Sequence, residues 1–316
     1  MKSKNSIAII LLNWNGYEDT NECLESLRKC KYNNFDVVIV DNASTDDSLI
    51  KLKNEYRDMI YLESDSNRGF SGGCNIGILY ALHKEYDYIM LLNNDTIVDP
   101  NFLDELIVAS EKHKEYSILG GKAYYYEDKK RIHMAGAKLN WLKGNYTRHG
   151  ADSYDDEKHN AIREVEFTSA YFLLAKSEVF KNIGLLCEDY FFGQEEVDFG
   201  ARYSRFGYKV LYVPKSIIWH KIAGSHIPAT PKDIYNVYRN KLIFMEKFLT
   251  RPIFLLWKVM FSMYANTIAP TRLHKLHVKY GGNKSISDIK TAIKTAITDS
   301  KLLKKMTRED FLKFRD

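Results

Sequence analysis

The chain has 316 residues, of which 45% are apolar and 28% charged, enough for one large α/β domain with appendages or for two ordinary domains; disorder and low-complexity repeats are excluded. Four cysteines, Cys23, Cys30, Cys74 and Cys187, form no CxxC pair and follow no secretory signal, which excludes the common thiolate metal motifs and points to a reducing cytoplasm. The net charge of +5 is uneven, since residues 232–316 hold 18 basic and 7 acidic side chains, a net +11 that leaves −6 for residues 1–231. Lysine dominates that basic segment and no nucleic-acid motif accompanies it, so the expected partner is an anionic membrane surface and not nucleic acid.

The apolar run Ser6–Leu12 predicts a first strand, the polar loop Asn13-Trp14-Asn15-Gly16 follows, and Glu18–Cys30 reads as a helix. Phe35–Val40 is a second, β-branched strand that ends in Asp41-Asn42-Ala43-Ser44-Thr45-Asp46, a cluster able to cap the next helix. Met59–Leu62 is a short third strand, and Asn67-Arg68-Gly69-Phe70-Ser71-Gly72-Gly73-Cys74-Asn75 opens a helix reaching Glu85. Tyr88–Leu92 is the fourth strand and runs straight into Asn93-Asn94-Asp95-Thr96. Strands alternating with helices in this way predict a right-handed parallel sheet covered by helices, with ligands at the C-terminal strand ends. One carboxylate among amides at such an end suits a hard divalent cation bridged to a substrate's phosphates, which makes Asp95 a candidate ligand; the plain alternative is a cap for the helix Pro100–Lys112.

Ser117–Tyr124 reads as a fifth strand, after which Arg131–Asn140 and Glu164–Ala175 read as longer strands separated by polar loops. The acidic segment Tyr154–His159 is expected to be an exposed loop and carries no assigned role. Phe191-Phe192-Gly193-Gln194-Glu195-Glu196-Val197-Asp198 enters a helix to Arg205, Gly207 closes it, and Lys209–Val213 and Ser216–His220 resume as strands. From Lys232 the pattern is helical. Arg251-Pro252 and Ala269-Pro270 bracket the apolar run Ile253–Ala269, which is short for a membrane span and contains Lys258. Lys258, Ser262 and Asn266 draw one narrow polar stripe along it, leaving a broad apolar face for a membrane surface, internal packing or a homodimer contact.

Taken together, NWNG at 13–16, DNASTDDS at 41–48, NRGFSGGCNIG at 67–77, LLNNDT at 91–96, FFGQEEVD at 191–198 and WHKIAGS at 219–225 resemble, in order, the motifs of family 2 glycosyltransferases of GT-A fold, specifically the rhamnosyltransferase-like branch. Each motif is weak alone; the ordered set, over roughly residues 6–240, is specific. The resemblance implies an α/β fold with a mixed, mostly parallel Rossmann-like sheet in a catalytic domain over 1–231, and the charge asymmetry sets apart a basic helical region over 232–316. It further implies an inverting transferase that moves a sugar from a nucleotide diphosphate donor to a hydroxyl of a polysaccharide or lipid-linked acceptor, with Mn or Mg as cofactor; the basic tail and the run Ile253–Ala269 are expected to lie on the cytoplasmic face of a membrane. Among donors it ranks dTDP-rhamnose first, then UDP-hexoses and GDP-mannose.

In that likeness Asp95 matches the last, metal-binding Asp of the DxD motif, with Asn93 and Asn94 in place of acidic residues, and His220 stands where relatives supply an imidazole to the same metal. Asp41 matches the carboxylate that reads a pyrimidine base, with Ser44 and Asp46 available for capping in its stead. Asn13, Asn15, Asn42, Arg68, Gly69, Gly72, Asn75 and Asn94 are expected around the nucleotide, and Arg239 near its diphosphate. The acceptor oxygen must lose a proton as it attacks, so a carboxylate is needed opposite the leaving group. Relatives carry Glu-Asp at that point with the second residue as base; here the pair is Glu195-Glu196, which maps the base to Glu196 with Glu195 as a sharing neighbour. Asp198 is expected to be structural, paired with Arg202 one turn on. The alternatives are a nucleotidyltransferase, against which the absence of a cation in Asn13–Gly16 counts, and a non-catalytic scaffold that binds sugar nucleotides.

Overall fold

The computed structural model describes residues 5–221 and 229–302. Strands β1 (Ile7–Asn13), β2 (Phe35–Asp41), β3 (Ile60–Glu63) and β4 (Tyr88–Leu92) run parallel in the order β3-β2-β1-β4, joined by helices α1 (Tyr17–Leu27), α2 (Ser48–Glu55) and α3 (Gly69–His83). The side chains of β4 and most of those of β1 and β2 are buried on both faces, as apolar runs between crossover helices require, while the edge strand β3 is only partly covered. Beyond β4 the sheet continues through β11 (Phe172–Lys176), β6 (Ile118–Tyr125), β12 (Val210–His220) and β10 (Arg163–Val165), of which β11 and β10 run antiparallel to their neighbours. The sheet is therefore mixed and mostly parallel, flanked by helices, as the sequence implies.

The middle of the chain departs from expectation in four places. A strand β5 (Thr96–Val98) pairs antiparallel with β12, so Thr96 does not cap α4 (Phe102–Lys112), whose N-cap position is Asn101. The continuous strand expected over Arg131–Asn140 is broken at Gly136, whose φ of 77° separates β7 (Ile132–Met134) from β8 (Ala137–Asn140), and β8 forms a hairpin with β9 (Asn145–Arg148). The strand expected over Glu164–Ala175 is two strands, β10 and β11, with residues 166–171 as the loop between them. Lys209–Val213 and Ser216–His220 are one strand, β12, irregular between Val213 and Ile217. The acidic segment 154–159 is not wholly solvated either. Asp155 reaches inward to Lys122 Nζ at 2.9 and 3.0 Å, and that lysine is 2% exposed.

α5 (Ser177–Ile183) and α6 (Glu195–Arg205) precede β12, and the C-terminal helices are α7 (Pro231–Phe248), α8 (Arg251–Thr267), α9 (Ala269–Lys279) and α10 (Ile286–Leu302). A Thr230–Asp233 capping box and Pro231 start α7. Leu242, Phe244, Met245, Phe248, Phe254 and Trp257 join the same core as the sheet, while Ile234, Tyr235, Ala265, Ile289 and Ile293 build a second cluster among the helices. Among the described residues no helix is long and apolar enough to cross a membrane. Along α8, Ile253, Leu255, Leu256, Val259, Met260 and Met263 are exposed, each more than half.

Candidate active site

β1 and β2 end in register at Asn13 and Asp41, while β5 and β12 bring Thr96 opposite His220, so the polar clusters share one edge of the sheet. There His220 Nε2 lies 3.1 Å from Asp95 Oδ1. The imidazole is 8% exposed and its Nδ1 has no hydrogen-bond partner among the described residues. Tyr171 stacks on the His220 ring at 4.5 Å and its hydroxyl meets His133 Nδ1 at 2.9 Å; burial pushes His133 down to about 2, which keeps this second imidazole neutral. No cluster of three or more metal-ligating side chains occurs among the described residues. Asp95 and His220 still fit a divalent cation, because one that stays bound to substrate phosphates takes only one or two ligands from the chain.

The same loop that supplies Tyr171 reaches the candidate base. Ser169 Oγ and Ala170 N both donate to Glu196 Oε2, the latter at 3.1 Å, so residues 169–171 hold Glu196 at one end and His220 at the other. Glu196 sits in the first turn of α6, where a carboxylate also favours the helix dipole. Glu195 differs sharply. It is 5% exposed, its Oε2 has no hydrogen-bond partner among the described residues, and burial followed by the charge of Glu196 pushes its carboxyl up from 4.5 to about 8. Burial therefore favours the protonated form of Glu195.

The segment before these glutamates is strained and gripped. Phe191, Gly193 and Gln194 have φ of 63°, 77° and 87°. Asn240 Nδ2 donates to the carbonyls of Tyr190, Phe192 and Gly193, and Arg239 Nη1 donates to Asp189 O at 3.1 Å. Arg239 is fully buried, so it props this segment and does not stand at an open diphosphate site as expected. Asp198 meets Arg202, Lys247 and Tyr190, the structural role expected of it.

Several expected nucleotide contacts are engaged within the protein. Asp41 Oδ1 accepts from Asn13 Nδ2 and Ser44 Oγ, and its Oδ2 from Ser44 N; with 3% exposure it is not the free carboxylate expected to read a base. Asn13 also meets Thr20 and Ser48. Asn42 fastens Asn67, Gly69 and the Arg68 amide, and Asn75 fastens Leu186 and Glu188. Asn94 Nδ2 donates to Thr20 Oγ1 at 2.8 Å, which secures the loop to α1 where a ribose contact was expected. A Cβ on Gly69 would lie 2.1 Å from Phe191 O and one on Gly72 2.6 Å from Arg68 Cβ, so these glycines admit protein, not nucleotide. Asn15, exposed and bonded to Thr45, Arg68, paired with Glu188 at 3.1 Å, and Asp95 remain at the accessible edge. Glu188 and Ser169–Tyr171 are absent from the sequence-based set, and the positions Ile222–Ser225 of the WHKIAGS motif lie outside the described residues.

The model of the family described as "Glycosyl transferase family 2" matches residues 6–184. The chain belongs to this family. The family 2 chain is 25% identical over 205 residues to the low-salt glycan biosynthesis hexosyltransferase Agl10 of Haloferax volcanii, covering 63% of this chain and 62% of the relative. It is 33% identical over 96 residues to the poly-beta-1,6-N-acetyl-D-glucosamine synthase of Staphylococcus aureus strain COL, covering 29% of this chain and 22% of that protein. The match thus spans less than two thirds of either relative. Among solved structures, S. aureus TarS 1–349 aligns with a TM-score of 0.54 at 15% identity over 93% of this chain and 91% of its own. GalNAc-T7 with UDP, GalNAc and Mn2+ aligns with a TM-score of 0.63 at 17% identity over 95% of this chain and 59% of its own. At these identities the likeness carries the GT-A fold alone.

Proposed function

We propose that this family 2 protein is an inverting glycosyltransferase that moves a sugar from a nucleotide diphosphate donor to a hydroxyl of a polysaccharide or lipid-linked acceptor. The observation that carries the reading is the loop 169–171, which holds a carboxylate, Glu196, at one end and the Asp95–His220 pair at the other. An in-line displacement needs those two functions on opposite sides of one carbon. Asp95 and His220 would hold Mn or Mg, whose chemistry is to neutralise charge growing on the leaving diphosphate. Glu196 takes the proton of the attacking hydroxyl, its direction fixed by Ser169 and Ala170. Arg68 and Asn15 flank the donor at the accessible edge.

The neighbour solved with UDP and Mn2+ makes Mn the first cation to test, and dTDP-rhamnose is our first donor, ahead of UDP-hexoses and GDP-mannose. We place the protein peripherally at the cytoplasmic face of a membrane, through the exposed apolar side chains of α8 and their basic surroundings. Incubating the protein with millimolar Mn and each donor should release nucleoside diphosphate only when acceptor is present. Nucleotide binding with no turnover for any donor and acceptor pair would make it a sugar-nucleotide scaffold.

A further inference from the structure

The loop of the β8–β9 hairpin faces α7, α8 and α9 across a cavity of about 1010 Å³. Lys143, Lys241, Arg272, Lys275 and Lys279 line it, and no Asp or Glu does. None of the five has a carboxylate partner among the described residues. Five cations around one space repel each other unless an anion enters. The partly buried Lys241 shows the cost. Its ammonium is pushed down to about 8 by burial and by Lys143, a shift that a negative ligand in the cavity would oppose.

Two features say what kind of anion fits. The cavity is fastened to the catalytic segment, because Gln194 Nε2 donates to Gly144 O at 3.0 Å and Trp257 Nε1 to Leu142 O at 2.8 Å, and the lining residue Tyr146 feels the charge of Glu196. It also opens beside hydrocarbon, since Met260 lines it while Leu256, Val259 and Met263 on the same helix are exposed. We infer that this cavity seats the phosphate group of a lipid-linked acceptor, with its sugar end towards Glu196 and its hydrocarbon running out along α8. The inference rests on the glycosyltransferase reading above and names its acceptor class.

The probes are farnesyl diphosphate, inorganic pyrophosphate and farnesol, titrated against the full chain with Trp257 fluorescence as the signal, and UDP or dTDP with Mn in parallel. Farnesyl diphosphate should bind about tenfold or more tightly than pyrophosphate or farnesol, having both charge and apolar surface to bury. Lys143→Ala with Lys241→Met should weaken it by about tenfold or more, as should the exposed pair Lys275→Ala with Lys279→Ala, with nucleotide binding and the melting temperature unchanged in the exposed pair. Equal binding of farnesyl diphosphate by wild type and both pairs overturns the site. Pyrophosphate binding as tightly as farnesyl diphosphate overturns the lipid and leaves a soluble anion. Nucleotide binding without any farnesyl diphosphate binding sinks this inference alone, whereas a wild-type chain that binds no nucleotide sinks the transferase reading beneath it.

Discussion

Asn240 Nδ2 lies 2.9 Å from the carbonyl oxygen of Gly193. With the carbonyls of Tyr190 and Phe192, each at 3.1 Å, one side chain from α7 restrains the strained segment that delivers Glu195 and Glu196. Asn240→Ala removes three hydrogen bonds made by a buried amide, an expected loss of about 1–3 kcal/mol in a denaturant melt. It also frees the direction of Glu196, so kcat should fall by roughly 10²-fold while the donor KM holds. A variant that melts lower yet keeps its kcat would show the grip to be structural only.

Glu196→Gln should lower turnover by ~10²- to 10⁴-fold, with the nucleotide binding near wild-type affinity in a thermal-shift titration. Glu196→Asp restores the family's residue but withdraws the carboxylate from Ser169 and Ala170, so partial activity is expected. Glu195→Gln should do less, because burial favours the protonated form of that group. Inactive Glu195→Gln beside normal Glu196→Gln would shift the base by one residue.

Glu195 has a second, thermodynamic signature. Its carboxyl is raised from 4.5 to about 8 in the folded state, so its contribution to stability is complete below 4.5 and is lost as pH climbs through about 8. Glu195→Gln cannot lose a proton. Relative to wild type the variant should gain stability as pH rises from 5 to 8 and no further above, read from paired melts across that range. A difference that stays flat with pH would refute the buried acid.

Asp95→Asn should abolish Mn-dependent turnover and leave the melt unchanged, since Asp95 sits on a loop, partly exposed. His220→Ala should weaken the Mn dependence less. A Mn titration of all three proteins decides the matter, and identical curves would move the cation elsewhere.

Flotation with anionic vesicles tests α8. Its exposed Leu256 and Met263 should insert while nearby basic side chains gain about 1 kcal/mol each at the surface, so binding should fall with salt. Leu256→Glu with Met263→Glu should prevent flotation at low salt. If wild type fails to float, that face covers another protein surface.

The strand ends were legible in the sequence because apolar runs stop at polar clusters: Asn13, Asp41 and Asp95 all lie at the edge expected. What each polar group does there was not, because it depends on partners far along the chain. Asn75 bonds Leu186 more than a hundred residues away, and Gly69 makes room for Phe191. Arg239 has the chemistry of a phosphate contact, and only its burial and its bond to Asp189 O make it a prop instead. The loop 169–171 was hidden by its own composition: Thr168-Ser169-Ala170-Tyr171 continues the apolar pattern of Glu164–Ala175, and only the break between β10 and β11 turns it into the bridge between Glu196 and His220.

The grip of Asn240 on Gly193 also orders events during synthesis. β1 to β4, with α1 to α3, can assemble from the first hundred residues as a compact parallel unit. Glu196, by contrast, follows a segment held by a helix that leaves the ribosome after β12, and the Asp95–His220 pair needs β12 itself. A nascent chain should therefore fold its sheet early and remain chemically silent until α7 docks, so that catalytic competence arrives as one of the last steps of its making.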